Sequence, residues 1–293
     1  MNRIKGILYA AASSSTFGLA PFFSITLLMA GFSSFEVLSY RWGVAAVALA
    51  LFGLFTGCSF RLKRHEILPV VCLSLFRAAT SFALIIAYSN IASGVASIIH
   101  FMYPLAVAAV MMLLFKERRS VWVIAAILIS FAGASLLVCG DIHRADGDKA
   151  LGIIAACVSV FAYAGYIIGV KKSKAVNINS TALTCYVTAI GALIFITGGC
   201  FTSGIRLVTD GWTWLVILGL ALPATAISNI TLVQAIKYAG PTLTSILGAL
   251  EPLTAVIIGV IAFNEVFTAV SALGVALILA AVTLVVVYGR ERH

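Results

Sequence analysis

Residues 97–117 read SIIHFMYPLAVAAVMMLLFKE, and residues 245–265 read SILGALEPLTAVIIGVIAFNE. The two stretches are copies of one pattern, set 148 residues apart along the chain. The matched identical residues include Ser97 and Ser245, Pro104 and Pro252, Phe115 and Phe263, and Glu117 and Glu265. A duplicated apolar segment with a proline inside it is typical of membrane transporters that are built from two related helical bundles.

The composition is that of a membrane protein. Of the 293 residues, 62% are hydrophobic and only 10% are charged, and the mean hydropathy is +1.13. A soluble domain usually has about a quarter of its residues charged, so this composition argues against a water-soluble fold. Outer-membrane barrels need short strands that alternate apolar and polar residues, whereas these runs are long and apolar on all sides. The sequence therefore predicts an all-α integral membrane protein.

Ten apolar stretches have the length of about 20 residues that a transmembrane helix needs. They lie near 6–29, 35–56, 67–89, 93–114, 120–139, 150–170, 180–200, 212–236, 241–262 and 267–288. The first stretch follows Arg3 and Lys5 and resembles a signal peptide, but nine further spans favour a retained helix. We therefore predict ten transmembrane helices.

Basic residues are distributed unevenly between the predicted loops. If the N-terminus is cytoplasmic, 14 Lys and Arg residues fall on the inner side of the membrane and 3 on the outer side. This bias obeys the positive-inside rule along the whole chain, so both termini are predicted to be cytoplasmic. It also accounts for the net charge of +9, and no nucleic-acid partner is predicted.

The repeat is predicted to be inverted. Five spans in each half is an odd number, so matching helices would cross the membrane in opposite directions. The charges agree, because residues 115–119 (FKERR) form a basic turn whereas their counterparts 263–267 (FNEVF) have no basic residue. Gly6 and Gly152 begin a weaker match at an offset of 146 residues. The candidate repeats are residues 1–144 and 145–293.

These features together resemble the drug/metabolite transporter superfamily, specifically its EamA-type branch. The shared features are ten spans, two inverted five-helix repeats, and a proline-containing fourth and ninth span that close in F-x-E. Residues 251–265 carry the resemblance most specifically and residues 103–117 come next. The resemblance covers nearly the full length and implies export or exchange of small metabolites, often amino acids, across a bacterial inner membrane. It leaves the substrate open.

The two matched prolines are candidate hinges. Proline inside a helix frees the carbonyl four residues earlier, which is that of His100 for Pro104 and that of Gly248 for Pro252. Kinked helices with free carbonyls near the middle of the membrane can coordinate a substrate or bend between states. The alternative is a pair of packing kinks whose carbonyls are satisfied by neighbouring helices.

Polar residues around the first proline are candidates for a substrate cavity. Ser97 and His100 share a helix face with Pro104, and Ser245 repeats that spacing before the second proline. Histidine titrates near neutral pH, so His100 can bind substrate or carry a proton. The alternative is a neutral histidine that is hydrogen-bonded between helices. Tyr103 stands where the second repeat has Glu251, so an acidic role can exist only once.

Arg77 and Glu251 are both predicted to lie near the middle of the membrane. A charge there costs at least about 2.5–3.5 kcal/mol on insertion scales, so each should have a partner. In one interpretation they pair with each other and hold the bundle together. In the other they face one cavity, where Arg77 binds a substrate carboxylate and Glu251 binds an amine or a coupling proton. Arg41 lies nearer a helix end and is expected to extend to the interface.

The remaining candidates have less specific roles. Tyr163 and Asn229 are candidate cavity residues, because aromatic walls with a few amides suit small molecules. Interhelical hydrogen bonds and interface aromatics are the alternative for both residues. Glu117 and Glu265 are interpreted as helix-corner residues that hydrogen-bond nearby backbone groups. The scattered cysteines and histidines show no metal or redox spacing, so no metal site is predicted.

The function predicted from the sequence is secondary transport by alternating access, with an amino-acid or metabolite exporter as the leading hypothesis. A drug or nucleotide-type metabolite permease or exchanger of the same fold is the alternative, and a channel is a weaker one. No nucleotide-binding motif, cofactor or enzymatic activity is predicted. The expected partners are a small-molecule substrate and the lipid bilayer, with a monomer and a homodimer both open. Proton coupling is a hypothesis based on Glu251 and His100.

Overall fold

The computed structural model describes residues 2–91, 93–116, 121–138, 147–202, 204–254, 257 and 268–288. All regular secondary structure in these residues is helical. The α-helices are α1 (Asn2–Phe17), α2 (Ala20–Met29), α3 (Ser34–Phe55), α4 (Arg64–Asn90), α5 (Ser93–His100), α6 (Tyr103–Leu113), α7 (Val121–Val138), α8 (Lys149–Lys172), α9 (Ser180–Phe201), α10 (Gly211–Ala221), α11 (Ser228–Ala239), α12 (Pro241–Leu247) and α13 (Ala269–Tyr288). A further helical stretch covers residues 250–254. The predicted all-α architecture is confirmed for the described residues.

Apolar helices of membrane-spanning length dominate the described chain. Seven are long and apolar enough to cross a membrane, namely Arg3–Met29, Ser34–Phe55, Arg64–Asn90, Val95–Leu113, Lys149–Lys172, Ser180–Phe201 and Gly211–Ala239. Two shorter apolar helices, Val121–Leu136 and Ala269–Leu284, coincide with the predicted fifth and tenth spans. The predicted ninth span begins in α12 and runs into residues 258–267, which lie outside the described part of the chain.

Side-chain caps explain where several helices begin. At the start of α3, Ser33 and Glu36 form a reciprocal capping box with bonds of 3.2 and 2.8 Å. Asn179 caps α9 by accepting the N–H of Thr181 at 2.9 Å. Asp210 caps α10, and its bond from the Thr213 N–H holds the pKa of its carboxyl below the ordinary value.

Helices that are distant in sequence pack against each other in pairs. The most extensive contacts join α1 to α11, α3 to α9, α4 to α8 and α7 to α13. In the second pair, Gly198 packs against Phe35 whereas Gly191 packs against Trp42, so α9 runs back as α3 advances. These two helices are therefore antiparallel.

The pairs α1–α11 and α4–α8 are also antiparallel. Gly6 lies against Ala239, and seven residues later Ser13 donates a hydrogen bond of 2.8 Å to the carbonyl of Ser228. In α4 and α8, Gly169 packs against Leu73, and the other end of α8 packs against residues 90–91. Glycine in these places lets the two helix backbones approach closely.

Three helix interruptions meet in the middle of the bundle. Between α1 and α2, a Cβ atom at Gly18 would lie 2.6 Å from the carbonyl oxygen of Glu251. Between α12 and the stretch 250–254, a Cβ atom at Gly248 would lie 1.7 Å from the Tyr103 hydroxyl, next to the α5–α6 break. Only glycine permits these two approaches, so the interrupted helices contact one another directly.

Candidate functional site

Arg77 lies at the centre of the bundle, on α4, and is only 1% exposed. Its Nε–H donates to Oδ1 of Asn229 at 2.9 Å. Its guanidinium carbon lies 5.1 Å from the ring centres of both Phe17 and Tyr163 and 5.8 Å from that of Tyr166. No described residue bonds to its buried Nη1. Arg77 is therefore a buried cation that is fixed by one bond and three rings, with donor capacity left over.

His100 lies beside Tyr163, and its hydrogen bond to Ser159 indicates which ring nitrogen carries the hydrogen. Its Nδ1 is 2.8 Å from Oγ of Ser159, whose hydroxyl donates to the carbonyl of Ala156 at 2.6 Å. Because that hydroxyl has only one hydrogen, Nδ1 of His100 must be the donor to it. Nε2 is then an acceptor, and it is buried without a partner in the described chain. The ring lies 5.3 Å from that of Tyr163 and 5.4 Å from that of Tyr103.

Arg41 is buried, so the expectation that it extends to the membrane interface is wrong. The residue is 6% exposed, and its Nε–H donates to Oγ1 of Thr225 at 2.7 Å. That hydroxyl in turn donates to the carbonyl of Leu220 at 2.7 Å. The guanidinium carbon lies 5.7 Å from the ring centre of Phe17. Arg41 stays inside because the bundle supplies both an acceptor and an aromatic face.

Both arginines are held at the junction of an irregular segment with α11, Arg41 by the segment itself and Arg77 by the first turn of the helix. Residues Leu222–Ile227 form a π-helical turn that includes Thr225. The Asn229 side chain, which accepts from Arg77, donates from Nδ2 to the carbonyl of Thr225 at 2.7 Å. Arg41 bonds to Thr225 itself, so the two anchors are four residues apart on one element. Single π-helical turns of this kind are frequent at functional sites.

Glu251 is near both arginines without an ion pair. It is half-buried at the start of the stretch 250–254 and interacts electrostatically with Arg77 and Arg41. Among the described side chains, no carboxylate oxygen lies within 4.0 Å of an Arg77 nitrogen. The interpretation in which Arg77 and Glu251 form a structural ion pair therefore does not describe this structure.

The other polar candidates have different surroundings. Ser97 is half-buried and its side chain interacts with that of Tyr88. Ser245 is fully buried, and its hydroxyl donates to the carbonyl of Thr242 at 2.8 Å within its own helix. Ser97 therefore belongs to the polar region around Tyr88, whereas the hydrogen of Ser245 is used locally.

The two candidate hinges differ in their backbone bonding. Helix α5 ends at His100, and α6 begins with Pro104 in its first turn, so the chain is interrupted before this proline. At the second proline, Pro252, the expected free carbonyl is absent. The N–H of Glu251 donates to the carbonyl of Gly248 at 2.9 Å, because the chain tightens into a three-residue turn there. The expectation of a free Gly248 carbonyl is wrong.

The two predicted helix-corner residues, Glu117 and Glu265, lie outside the described residues. Elsewhere in the described chain, no three His, Cys, Asp or Glu side chains come close enough together to hold a metal ion. A small cavity, with room for about one water molecule, adjoins the arginine cluster and is lined in part by Arg41, Phe17 and Tyr88. The polar chemistry of the site is therefore cationic and aromatic, with one carboxyl group and one imidazole acceptor.

Sequence reasoning missed two of the positioning groups, Thr225 and Ser159, and placed a third, Arg41, at the membrane interface. Arg41, Thr225 and Ser159 determine where the guanidinium and imidazole groups lie, yet only Arg41 stood out in the sequence as a charge within an apolar run. Serine and threonine in membrane helices are common and give no comparable signal. Proline at position 223, at the start of the π-helical turn, is the one sequence mark of that segment.

Comparison with known proteins adds family and fold. The model of the EamA-like transporter family matches residues 4–139 and again residues 150–287. One solved structure, described only as a crystal structure of a protein, superposes with a TM-score of 0.80 at 17% sequence identity. That superposition covers 97% of this chain and 95% of the other, and it shows a shared fold. No curated protein matches the sequence significantly.

Proposed function

This chain belongs to the EamA-like transporter family, and on that premise we propose that it is a secondary transporter that exports amino acids or similar small metabolites. The predicted resemblance to the drug/metabolite transporter superfamily is thereby confirmed, and the chain is a multi-pass membrane protein. We place it in a bacterial inner membrane with both termini in the cytoplasm, on the basis of the bias in basic residues.

One observation carries the proposal. Arg77 Nη1 and His100 Nε2 are buried beside Tyr163, and neither atom has a hydrogen-bond partner in the described chain. Buried polar groups are nearly always paired, and leaving one unpaired costs about 1–3 kcal/mol or more when it is charged. A donor on a cation and an acceptor on a neutral ring, left over at one place, suit a ligand that carries both an anionic and a donor group. An amino acid has both.

Glu251 completes the chemistry of such a ligand. Arg77 would bind the carboxylate, and Glu251 with His100 would receive the ammonium group, which donates up to three hydrogen bonds. Glu251 is half-buried and near two cations, so it is also our candidate for a coupling proton. An imposed pH gradient that leaves uptake into liposomes unchanged would argue against that second role.

Alternating access between two inverted repeats, 1–144 and 145–293, is part of the proposal. The helix pairs support it. If each predicted span of the first half is exchanged with the span five places later, the pair α1–α11 becomes the pair α8–α4, which is also observed. The same exchange leaves the pairs α3–α9 and α7–α13 unchanged. The two segments that match the family model support the same division. The breaks at Pro104 and Pro252 are the proposed hinges.

The direct test is counterflow of labelled amino acids in liposomes that contain the purified full chain. We expect Arg77→Ala to lower transport by about ten- to a hundredfold, because a charged hydrogen bond contributes about 1.5–3 kcal/mol. Arg61→Ala, which removes an exposed loop charge, is the control. Normal transport by a folded Arg77→Ala protein would contradict the site, and steady electrical conductance would identify a channel instead.

A further inference from the structure

Arg41 provides a second buried cation that amino-acid binding at Arg77 does not use. Its bond to Thr225 uses only Nε–H, and no described residue accepts a hydrogen bond from its two terminal amino groups. Arg41 also lines the small cavity beside the arginine cluster, together with Ser24, Ser81 and Tyr88. The cavity has room for about one water molecule in this structure, so a metabolite reaches Arg41 only when the helices around the cavity move apart, as alternating access requires.

The charges around this cavity do not balance. The guanidinium carbons of Arg41 and Arg77 lie 5.7 and 5.1 Å from the same Phe17 ring centre, so their separation cannot exceed the sum of these distances. Within the described chain, Glu251 is the one carboxylate that interacts electrostatically with both arginines. Two buried cations with one carboxylate leave positive charge uncompensated, which is costly away from water. The Phe17 ring offsets part of this cost through cation–π attraction.

The anchors set the spacing of the two cations. Thr225 and Asn229 hold Arg41 and Arg77 through Nε and stand one helical turn apart, which is about 6 Å along the axis. Because each arginine bonds to its anchor through Nε–H, the terminal amino groups of each guanidinium remain available to a bound substrate. Two carboxylates separated by a short carbon chain can each contact one such edge.

From these observations, and resting on the proposed amino-acid transport, we propose that Arg41 is a second anion-binding residue and that the substrate is an α-amino dicarboxylic acid. One carboxylate binds Arg77, the other binds Arg41, and the ammonium group lies between Glu251 and His100. The substrate's net charge of minus one neutralises the net positive charge left by the two arginines and the Glu251 carboxylate. A neutral zwitterion would leave the Arg41 charge without a counterion.

The test uses two pairs of amino acids that differ by one charge and almost no volume. Aspartate is compared with asparagine, and glutamate with glutamine, by thermal stabilisation of the purified chain and by counterflow in liposomes. In the wild type we expect the acid to act at about tenfold lower concentration than the amide, as for one charge-assisted bond. In Arg41→Gln this ratio should fall to about one, whereas the control Arg61→Gln should keep it.

Because Arg41→Gln removes a buried arginine and can destabilise the fold, a second variant that keeps the arginine is also needed. Thr225→Val keeps Arg41 but removes the hydroxyl that accepts from its Nε–H, together with that hydroxyl's own bond to the carbonyl of Leu220, and the acid-to-amide ratio should fall about threefold.

Equal responses of the wild type to acid and amide, or an unchanged ratio in Arg41→Gln, would overturn the inference and leave amino-acid transport standing. A folded wild type that responds to none of these four amino acids but gives counterflow of another labelled amino acid would overturn the inference alone, whereas no counterflow of any labelled amino acid would contradict the proposed function. Stabilisation by succinate equal to that by aspartate would overturn the amino part of the substrate class.

Discussion

Tyr40 and Tyr186 make the same hydrogen bond at opposite ends of the paired helices α3 and α9. The Tyr40 hydroxyl donates to the carbonyl of Arg206 in the loop before α10, and the Tyr186 hydroxyl donates to the carbonyl of Phe60 in the loop before α4. The two donors are 146 residues apart, and so are the two acceptors. Since α3 and α9 are antiparallel and both tyrosines lie near the start of their helices, each bond ties helix to loop at a different face.

Removing either tyrosine hydroxyl should therefore favour opening at one face. A neutral hydrogen bond contributes about 1 kcal/mol, so Tyr40→Phe should raise the population that is open at the face where α3 begins by about fivefold. Tyr186→Phe should favour the opposite face by a similar factor. The measurement is the labelling rate of Ser24→Cys, which lines the cavity, by a membrane-impermeant reagent in a background without the native cysteines.

Tyr238→Phe is the control for this experiment, because Tyr238 is exposed and its ring stacks on that of Tyr9 in α1. Its labelling rate should match that of the parent protein. Two tyrosine variants that change the labelling rate in the same direction would contradict opposed openings at the two faces.

Ser159 positions His100, and the effect of this hydrogen bond on substrate binding can be measured separately from the effect of helix packing. Ser159→Ala removes the acceptor for the Nδ1 hydrogen of His100, so the ring loses the constraint that keeps Nε2 an acceptor. We expect the KM for substrate to rise about tenfold, at about 1.4 kcal/mol, with a smaller change in kcat. Ser159→Thr should restore the KM because it keeps the hydroxyl.

The matched control is Ser130→Ala. Ser130 is equally buried and its hydroxyl also donates to a carbonyl three residues earlier, that of Ile127, at 2.9 Å. If Ser130→Ala raised the KM as much as Ser159→Ala does, the effect would come from helix packing and not from His100.

Gly18 should tolerate no side chain. Gly18→Ala would place Cβ 2.6 Å from the carbonyl oxygen of Glu251, and the backbone must shift at a cost of about 1–3 kcal/mol. At Gly43 a Cβ atom meets nothing within 4 Å, so Gly43→Ala should cause no loss of stability. The midpoint of thermal unfolding in detergent measures both changes. An unchanged midpoint in Gly18→Ala would mean that the helix break and Glu251 do not contact each other.

The proposed topology predicts opposite sides for two exposed loops. Ser59 lies between α3 and α4, and Thr209 lies between α9 and α10. In an inverted repeat these two loops are counterparts, so Ser59→Cys should be labelled only from the cytoplasm and Thr209→Cys only from outside. Labelling of both cysteines from one side would exclude the inverted arrangement, whatever the number of spans.

The elements that sequence could predict are those set by local composition. Long apolar runs fix the helices, because the bilayer leaves backbone groups no other way to be satisfied. Arg77 was identified as a site residue because a charge deep in such a run needs a partner within the protein. The actual partner, Asn229, was already a candidate, but nothing in the spacing joins residues 152 positions apart.

The elements that sequence could not predict depend on contacts between helices. Distance from the helix end suggested an interfacial Arg41, but the acceptor that keeps it buried is Thr225, in the π-helical turn far along the chain. Pro252 was expected to free a carbonyl, since a regular helix has no other donor for it, but the chain tightened and the Glu251 N–H reached Gly248. Such local adjustments are decided by tertiary packing.

The π-helical turn at Leu222–Ile227 gives the eighth predicted span a means of rotation. Such a turn holds one more residue than the regular winding around it, and one residue corresponds to about 100° about the axis. If the π-helical turn became a regular α-helical turn, α11 would rotate by about 100° about its axis. The hydrogen bonds from Arg41 to Thr225 and from Arg77 to Asn229 would then break in the same movement. A change in the winding of this one short segment can therefore alter the hydrogen bonds of both arginines together.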